Sequence, residues 1–368
     1  MTSRRAHALA VAALLAVFAV SGLISLRGDS ATFDETAHLA AGYTALEARD
    51  FRLNPEHPPL SKLWCAIPLL FDPGVAADYR STAWTGTADP PGAPYRTGAD
   101  QWTFGFDLMN GPRDASPRRD PARVLVPARS MMILLGLALG LVVYAWSREL
   151  WGPAAGLLSL FIFALSPALL AHARLVTTDL PAALGFTATL GCLWRFMRRP
   201  GPGRGLLFAA ALAMSQLAKF SLLILWPITL CMTLAWILAP AISGAARRAR
   251  ARQGTALLAA ALVLAPVAIW AGYAFRFTAA ADPAYRLDWK DAANGLPRPP
   301  GLVGALADRR LLPEAYLYGL HSFLGTTEKR VGYLNGSVSV DGWWSYFPEA
   351  FLLKTPPAFL LLLGALGA

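Results

Sequence analysis

Long apolar runs separated by short polar connections make up most of this 368-residue chain. Because an α-helix needs about 20 mostly apolar residues to cross a bilayer, each long run is typical of a membrane span. The first run is longer than the roughly 7–15 apolar residues of a signal-peptide core, so we expect it to persist as a helix. The pattern predicts an all-α polytopic membrane protein with helices near residues 6–26, 124–146, 152–171, 180–197, 205–218, 221–239, 255–275 and 351–368.

The last apolar run is interrupted by Lys354 and two prolines, and eleven residues follow Pro357. Eleven residues are too few to cross a bilayer. We therefore expect residues 1–368 to form one transmembrane domain that continues in a longer natural protein.

The composition agrees with a membrane protein. Apolar residues make up 55% of the chain and charged residues 15%, and the mean hydropathy is +0.42. A soluble domain carries about 25% charged residues, so a soluble globular enzyme is excluded. The three cysteines, Cys65, Cys192 and Cys231, are odd in number and widely spaced. That spacing excludes a disulfide scaffold and a zinc ribbon.

The net charge of +10 arises mainly from arginines in the short connections. With the N-terminus in the cytoplasm, the inner connections are residues 1–5, 147–151, 198–204 and 240–254. They hold ten arginines against the single acid Glu149. This positive-inside bias explains the charge without nucleic acid. The Ala- and Arg-rich composition favours a bacterial cytoplasmic membrane, with two long segments, 27–123 and 276–350, on its outer face.

The first long segment opens with an acidic pair and a histidine. Thr32 and Asp34 are both suited to cap a helix, and Glu35 follows directly. Asp34 and His38 are four residues apart, so they share one helix face. The pair is compatible either with a catalytic carboxylate or with an ordinary acidic helix start favoured by the helix dipole.

A second motif runs from Asn54 to Lys62 and contains three prolines. Prolines enforce an extended backbone, which would hold Glu56 and His57 in place where the chain meets the membrane. Glu56 and His57 can ligate a metal, and His57 can hold a phosphate. The alternative is a turn before an interfacial helix over Ser61–Phe71, with Lys62 snorkelling.

Four more charged residues fall on the predicted outer side. Arg174 and Asp179 lie in one connection, Lys219 lies between two apolar runs, and Lys354 follows the second long segment. Helix capping before Pro181 explains Asp179 equally well. Snorkelling is the alternative for Lys219, although an ammonium group at the membrane boundary is costly without a partner.

Acids and cations thus converge on one face at the lipid boundary. This arrangement suits a substrate with an anionic head and an apolar tail, such as a polyprenyl phosphate that carries a sugar. Cations would hold the phosphate, and a carboxylate would deprotonate an attacking hydroxyl.

The same motifs, in this order, resemble those of glycosyltransferase family 39, which includes protein O-mannosyltransferases and the aminoarabinose transferases of lipid A. They are Asp34-Glu35, Glu56 to Leu60, Thr178 to Pro181, Lys219-Phe220, Tyr346 to Pro348 and Lys354 to Pro356. The resemblance spans nearly the whole chain. It implies the GT-C fold, with a catalytic first outer loop, and a polyprenyl-phosphate sugar donor.

By this resemblance Asp34 is the base or the carboxylate that orients the acceptor. Glu35 supports the site, and Asp179 helps to hold acceptor or donor. The predicted site would then place its catalytic acids at the start of two different helices.

The aminoarabinose transferases carry a phosphate-binding lysine where this chain has His57. Lys62, Arg174 and Lys219 are therefore alternative phosphate ligands, and Lys354 adds a further cation. The resemblance leaves open a divalent metal ion at Glu56 and His57.

The sequence predicts a membrane glycosyltransferase that moves a sugar from a polyprenyl-phosphate donor to a protein, lipid or glycan acceptor on the outer face. The rivals are a transporter or flippase of lipid-linked sugars and a non-catalytic assembly partner. Against a transporter, the two halves show no paired broken helices. Against an assembly partner, Asp34 and Asp179 are both intact.

Overall fold

The computed structural model describes residues 2–26, 28–88, 92–112, 117–240, 243–292, 299, 301–326 and 331–367. Helices dominate the described chain, and the fold is all-α, as the apolar pattern predicts. The first eight helices are α1 (Thr2–Ile24), α2 (Phe33–Glu47), α3 (Leu60–Ala66), α4 (Thr82–Thr85), α5 (Gln101–Asn110), α6 (Ala122–Trp151), α7 (Pro153–Ala164) and α8 (Pro167–His172).

The second half continues the helical pattern. Its helices are α9 (Asp179–Arg198), α10 (Pro202–Gln216), α11 (Leu225–Leu238), α12 (Gly244–Gly272), α13 (Trp289–Ala292), α14 (Gly301–Asp308), α15 (Glu314–Thr326), α16 (Tyr346–Lys354) and α17 (Pro357–Gly367). Short 3₁₀-helices cover Ile67–Phe71 and Phe220–Ile224, and two small antiparallel pairs join β1 (Thr87–Ala88) to β2 (Arg96–Thr97) and β3 (Gly332–Leu334) to β4 (Ser337–Ser339).

Several helices are long and apolar enough to cross a membrane. Within the described ranges they are Arg4–Ile24, Ala122–Trp151, Phe220–Leu238 and Gly244–Gly272. The protein is therefore a multi-pass membrane protein. Helix α10 has 15 residues. At about 1.5 Å per residue it is shorter than the roughly 30 Å hydrocarbon core.

Proline divides two of the predicted apolar runs, 152–171, which the sequence pattern treats as a single span, and 351–368, whose interruption by prolines the sequence shows. In the run 152–171, α7 ends at Ala164, and Ser166 is extended before Pro167 begins α8. In the run 351–368, Thr355 is extended between α16 and α17 and precedes Pro356. Proline disfavours the helical conformation in the residue before it, which accounts for both breaks. Residue 368 lies outside the described residues.

The membrane-type helices form a packed bundle. Helix α10 packs between α9 and α12, and α6 packs against α7 and α9. One side of this bundle is closed by large buried side chains, among them Phe196, Phe208, Leu212 and Leu225. The bundle supplies the ends of α6, α9 and α10 on which the site is built.

The segment 27–123 packs on the bundle as a small helical layer. Helix α2 lies against α3 and α5, and α3 lies against α6. Gly42 permits the close approach of α2 and α3, since a Cβ there would fall 2.1 Å from the Lys62 carbonyl oxygen. Helix α3 and the following 3₁₀-helix occupy the predicted helical stretch Ser61–Phe71, and Trp64 Nε1 donates to the Met131 carbonyl at 2.8 Å.

The segments 27–123 and 276–350 join each other. Arg52 is buried between the rings of Trp84 and Tyr285, with its guanidinium carbon 4.1 Å and 4.4 Å from the two ring centres. The Asp50 carboxylate pairs with Arg52 and also accepts a hydrogen bond from the backbone N–H of Ala281 at 2.7 Å. The two segments therefore cover the same end of the helical bundle.

Candidate active site

Asp34 lies in the first turn of α2, which begins with a capping box. The Thr32 backbone N–H donates to the Glu35 carboxylate at 2.9 Å, and the Thr32 side chain caps the helix in return. This arrangement satisfies amides that a helix start leaves without partners. Asp34 is exposed, and the first turn of α2 presents its carboxylate to the surface.

Glu35, the neighbour of Asp34, is fully buried. Its carboxylate accepts hydrogen bonds from Arg129 Nε at 2.8 Å, from a second Arg129 nitrogen at 2.7 Å and from the Val176 backbone N–H at 3.1 Å. Burial alone would raise the pKa of Glu35, but the Arg129 and backbone hydrogen bonds outweigh it and lower the pKa. Glu35 is therefore an ionised structural anchor below Asp34.

Arg129, which the sequence analysis missed, connects three parts of the chain. Besides Glu35 it donates to the carbonyls of Asp29 at 3.1 Å and Ser30 at 2.8 Å, so α6 holds the chain that leads into α2. An arginine inside the apolar run 124–146 is the signal that could have found it, because a charge there needs a partner.

Two histidines meet beside Asp34. His38 Nδ1 lies 2.9 Å from the Val176 carbonyl oxygen, and its ring packs edge-on against His57 at 5.4 Å. A carbonyl only accepts, so Nδ1 carries the proton of the neutral ring. Burial, with the charge of Lys62, lowers the pKa of His38 to about 4 and that of His57 to about 3. Both rings are neutral at physiological pH.

The turn that carries His57 is fixed from below by Lys62. The Lys62 ammonium is buried and donates to the carbonyls of Asn54 and His57, each at 2.7 Å, and to Asn54 Oδ1 at 3.3 Å. Asn54 takes a φ of +47°, which asparagine tolerates better than most residues. All three donors of Lys62 are therefore used to hold the turn.

Glu56 and His57 do not form a metal-binding cluster. The Glu56 carboxylate accepts from the side-chain amides of Asn54 at 3.2 Å and Gln101 at 3.3 Å. Among the residues that the structure describes, no group of three or more His, Cys, Asp or Glu side chains is placed to hold an ion. A divalent metal held by Glu56 and His57 therefore stays a prediction.

Asp179 and Lys219 form an ion pair across the ends of α9 and α10. Lys219 Nζ donates to Asp179 Oδ1 at 2.6 Å, and His172 Nδ1 lies 3.8 Å from Asp179 Oδ2. The charges of both Asp179 and Lys219 act on His57, and that of Asp34 acts on His38. Asp34 and Asp179 therefore both lie near this pair of histidines.

The two remaining predicted cations, Arg174 and Lys354, have other neighbours. Arg174 pairs with Asp29 and donates to the Ser25 carbonyl at 2.9 Å, at the end of α1. Lys354 is exposed at the end of α16. It lines a cavity of about 580 Å³ together with residues of α7, α8 and α17.

An apolar groove begins next to the Asp179–Lys219 pair. It has a volume of about 290 Å³ and lies between α3, α6, α9 and α10. Its walls include Leu60, Pro181 and Ala218, which are close in sequence to His57, Asp179 and Lys219 respectively. The Leu60 backbone N–H donates to the Leu217 carbonyl at 3.0 Å and so ties the His57 turn to the end of α10.

An aromatic pair stands beside Asp34. Phe33 stacks on Trp102 of α5 with ring centres 3.9 Å apart, and Phe33 keeps 73% of its surface exposed. The pair is not evident in the sequence, because Phe33 and Trp102 are far apart in the chain. It places a flat apolar surface next to an exposed carboxylate.

The fold and the site together define a class, a multi-pass helical membrane protein with a charged site at the end of an apolar groove. Over residues 75–281 the sequence matches the model of the dolichyl-phosphate-mannose-protein mannosyltransferase family. That range is more than half of the chain, and the chain belongs to this family, within glycosyltransferase family 39. The matched range includes Arg129, Asp179 and Lys219 and begins after Asp34 and His57.

A solved structure is also similar, that of the S. cerevisiae protein O-mannosyltransferase Pmt1-Pmt2 complex bound to the sugar donor. The identity is 21% and the TM-score 0.49, and the match covers 72% of this chain and 33% of that chain. The present chain thus spans about a third of that relative. No curated protein matches the sequence.

Proposed function

We propose that the protein is a membrane glycosyltransferase that moves one sugar from a polyprenyl-phosphate donor to a hydroxyl group on the outer face of the membrane. One observation carries this proposal. An apolar groove lies directly beside the charged residues Asp179 and Lys219 at the ends of α9 and α10. A polyprenyl phosphate has the matching chemistry, an apolar tail and an anionic head. Membership of the mannosyltransferase family supports mannose as the sugar.

The donor would lie with its tail in the groove and its phosphate at Lys219. Lys219 is partly exposed and held by Asp179, so an incoming phosphate can share its ammonium group. Lys62 is left out of the proposed site because its three donors already bind the 54–57 turn. His57 would line the phosphate site as a neutral ring, and Arg174 is already paired with Asp29.

The proposed reaction needs one base. The acceptor oxygen would form a bond to the anomeric carbon as the bond from that carbon to the phosphate oxygen breaks. Asp34 takes the hydroxyl proton, and the polyprenyl phosphate leaves with the bonding electrons, so the anomeric configuration inverts. Glu35 and Arg129 position Asp34 without touching substrate. Phe33 and Trp102 offer an apolar face to a sugar ring.

The experiment measures sugar transfer by purified protein from a radiolabelled polyprenyl-phosphate mannose donor, with a peptide rich in serine and threonine as acceptor. We expect Asp34→Asn to lower turnover by about 10²–10⁴-fold, since a general base contributes that much. Asp78→Asn is the matched control, because Asp78 is an exposed acid of the same segment away from the cluster. It should behave as wild type. A chelator added to the wild type tests the predicted metal at Glu56 and His57.

Full turnover by Asp34→Asn would overturn the assignment of the base. A donor that binds the wild type but is never cleaved would favour the carrier or the assembly partner. Equal elution on size exclusion and equal thermal midpoints of the variants show that each variant is folded.

A further inference from the structure

A second pocket lies at the opposite end of α9 from Asp179. Helix α9 has 20 residues, so at about 1.5 Å per residue its two ends are about 30 Å apart. The pocket has a volume of about 350 Å³, at the small end of the usual range for ligand sites. Its walls are Glu149, Trp194, Arg195, Arg198, Arg199 and Arg204.

The charge of this pocket is strongly positive. Glu149 is bound by Arg195 through two hydrogen bonds, of 2.7 Å and 2.9 Å, and so neutralises one of the four arginines. Among the residues that the structure describes, no carboxylate pairs with Arg198, Arg199 or Arg204. Three guanidinium groups therefore line one concave surface. Their mutual repulsion is unfavourable unless an anion or solvent screens it.

The backbone holds these arginines together. Helix α9 ends at Arg198 and α10 begins at Pro202, so Arg199 and Arg204 lie on either side of a short turn that contains Pro200. Arg204 donates to the Arg199 carbonyl at 2.9 Å and closes the turn. The proline restricts the backbone of the turn, so the binding of an anion costs little backbone entropy.

The surroundings of the pocket are apolar. Leu206 and Leu207 follow Arg204 and are each more than half exposed, and Trp151 next to the pocket is 74% exposed. Arg198 lies over the Trp194 ring, 5.1 Å from its centre. Exposed leucines and tryptophans at a helix end are typical of the membrane interface, so acyl chains can lie beside the cationic pocket.

We propose that this pocket binds the phosphate headgroup of an anionic glycerophospholipid of the inner leaflet. Basic pockets between helices on the cytoplasmic side are suited to such headgroups, and a guanidinium fork binds phosphate through two parallel hydrogen bonds. The site is separate from the proposed donor site and stands whether or not that proposal holds.

The test uses the full chain, purified and stripped of lipid in a neutral detergent. Native mass spectrometry measures binding of phosphatidylglycerol and, as a reference, of phosphatidylcholine. The pocket variant is R198Q/R199Q/R204Q. The control variant is R247Q/R248Q/R252Q, which removes the same charge from exposed positions of α12 on the same predicted face. We expect the pocket variant to bind phosphatidylglycerol about tenfold more weakly than the control variant.

If both triple variants bind phosphatidylglycerol equally weakly, general surface charge explains the binding and the proposal is overturned. If neither variant binds it more weakly than the wild type, the proposal is overturned as well. A third arm adds inorganic phosphate. If free phosphate displaces the lipid at comparable concentration, the pocket is a soluble-anion site and the lipid assignment is overturned. Should the triple variant fail to fold, R204Q is compared with R252Q under the same criteria.

Discussion

Two adjacent carboxylates at the start of α2 have opposite surroundings. Asp34 is exposed, whereas Glu35 is buried and bound by Arg129, by Thr32 and by the Val176 backbone. Successive residues of a helix point about 100° apart, so one can face the substrate side while the next faces the core. The division of roles between the two acids follows from this geometry.

Removal of Glu35 should therefore destabilise the protein. Glu35→Leu leaves the buried Arg129 without its carboxylate, and breaking a buried pair from one side costs about 3–5 kcal/mol. The measurement is the thermal midpoint in detergent, by fluorescence-detected size exclusion. The control is Asp72→Asn, which breaks the surface pair of Asp72 with Arg123 and should change the midpoint little, because solvent screens an exposed ion pair. Similar midpoints for the two variants would argue against the anchoring role of Glu35.

The buried ring of His38 should make stability depend on pH. Its pKa is lowered from 6.5 to about 4 in the folded protein, mainly by burial. Between these values the unfolded chain binds a proton that the folded chain does not, so stability is lost as pH falls from 6.5 towards 4. The shift corresponds to about 3 kcal/mol at most.

The thermal midpoint of wild type and His38→Asn, measured from pH 7.5 to 4.5, tests this dependence. Asparagine keeps a donor for the Val176 carbonyl but cannot titrate. We expect the wild-type midpoint to fall more steeply than that of the variant. Parallel curves would show that His38 does not contribute.

At the scale of elements, α15 reaches from the segment 276–350 to the turn that carries His57. Gly319 makes this contact possible, since a Cβ there would lie 2.0 Å from the Pro55 carbonyl oxygen and 2.8 Å from the Phe220 ring. The turn is thus held by Lys62 on one side and by α15 on the other. Its position depends on two elements that are remote in sequence.

Gly319→Ala should move this turn. Neither the Pro55 backbone nor the packed Phe220 ring can yield freely, so we expect a loss of about 1–3 kcal/mol and a weakened donor site. Gly203→Ala is the control, because Gly203 lies in the first turn of α10 with open space around it and should be neutral or slightly stabilising. Thermal midpoints and the KM for the donor are the readouts. A neutral Gly319→Ala would disprove the close contact.

The sequence predicts the helices better than it predicts how they are interrupted. Apolar runs place α1 and α6 within about five residues, because hydrophobic length is a local property. Helix α12, in contrast, begins at Gly244, well before the predicted start at residue 255, because its arginine-rich first turns are helical without being apolar. The breaks at Ser166 and Thr355 were also readable, since each residue precedes a proline. The apolar run over 152–171 masked that signal.

For the whole molecule, the sequence offered candidate charged residues but could not show which of them are buried and already paired. Glu35 is buried because Arg129, 94 residues later, pairs with it, and no local pattern shows a partner so distant. In the sequence Lys62 resembles a surface cation, but in the structure it is buried and donates hydrogen bonds to the Asn54 and His57 carbonyls. Family membership and the all-α membrane fold, in contrast, were predicted from motif order and hydrophobicity and are confirmed.

Asp50 and Arg52 contact residues of the second long segment, so during synthesis they must wait for these partners to be made. Asp50 binds the backbone of Ala281, 231 residues later in the chain. A ribosome adds about 5–20 residues per second, so the earlier segment waits roughly ten to fifty seconds for this partner. During that time Trp84 has been made and Tyr285 has not, so the Arg52 guanidinium can pack against only one of its two aromatic rings. The packing around Asp50 and Arg52 is therefore completed only after Ala281 and Tyr285 have been made, when helices α1 to α12 have already been translated.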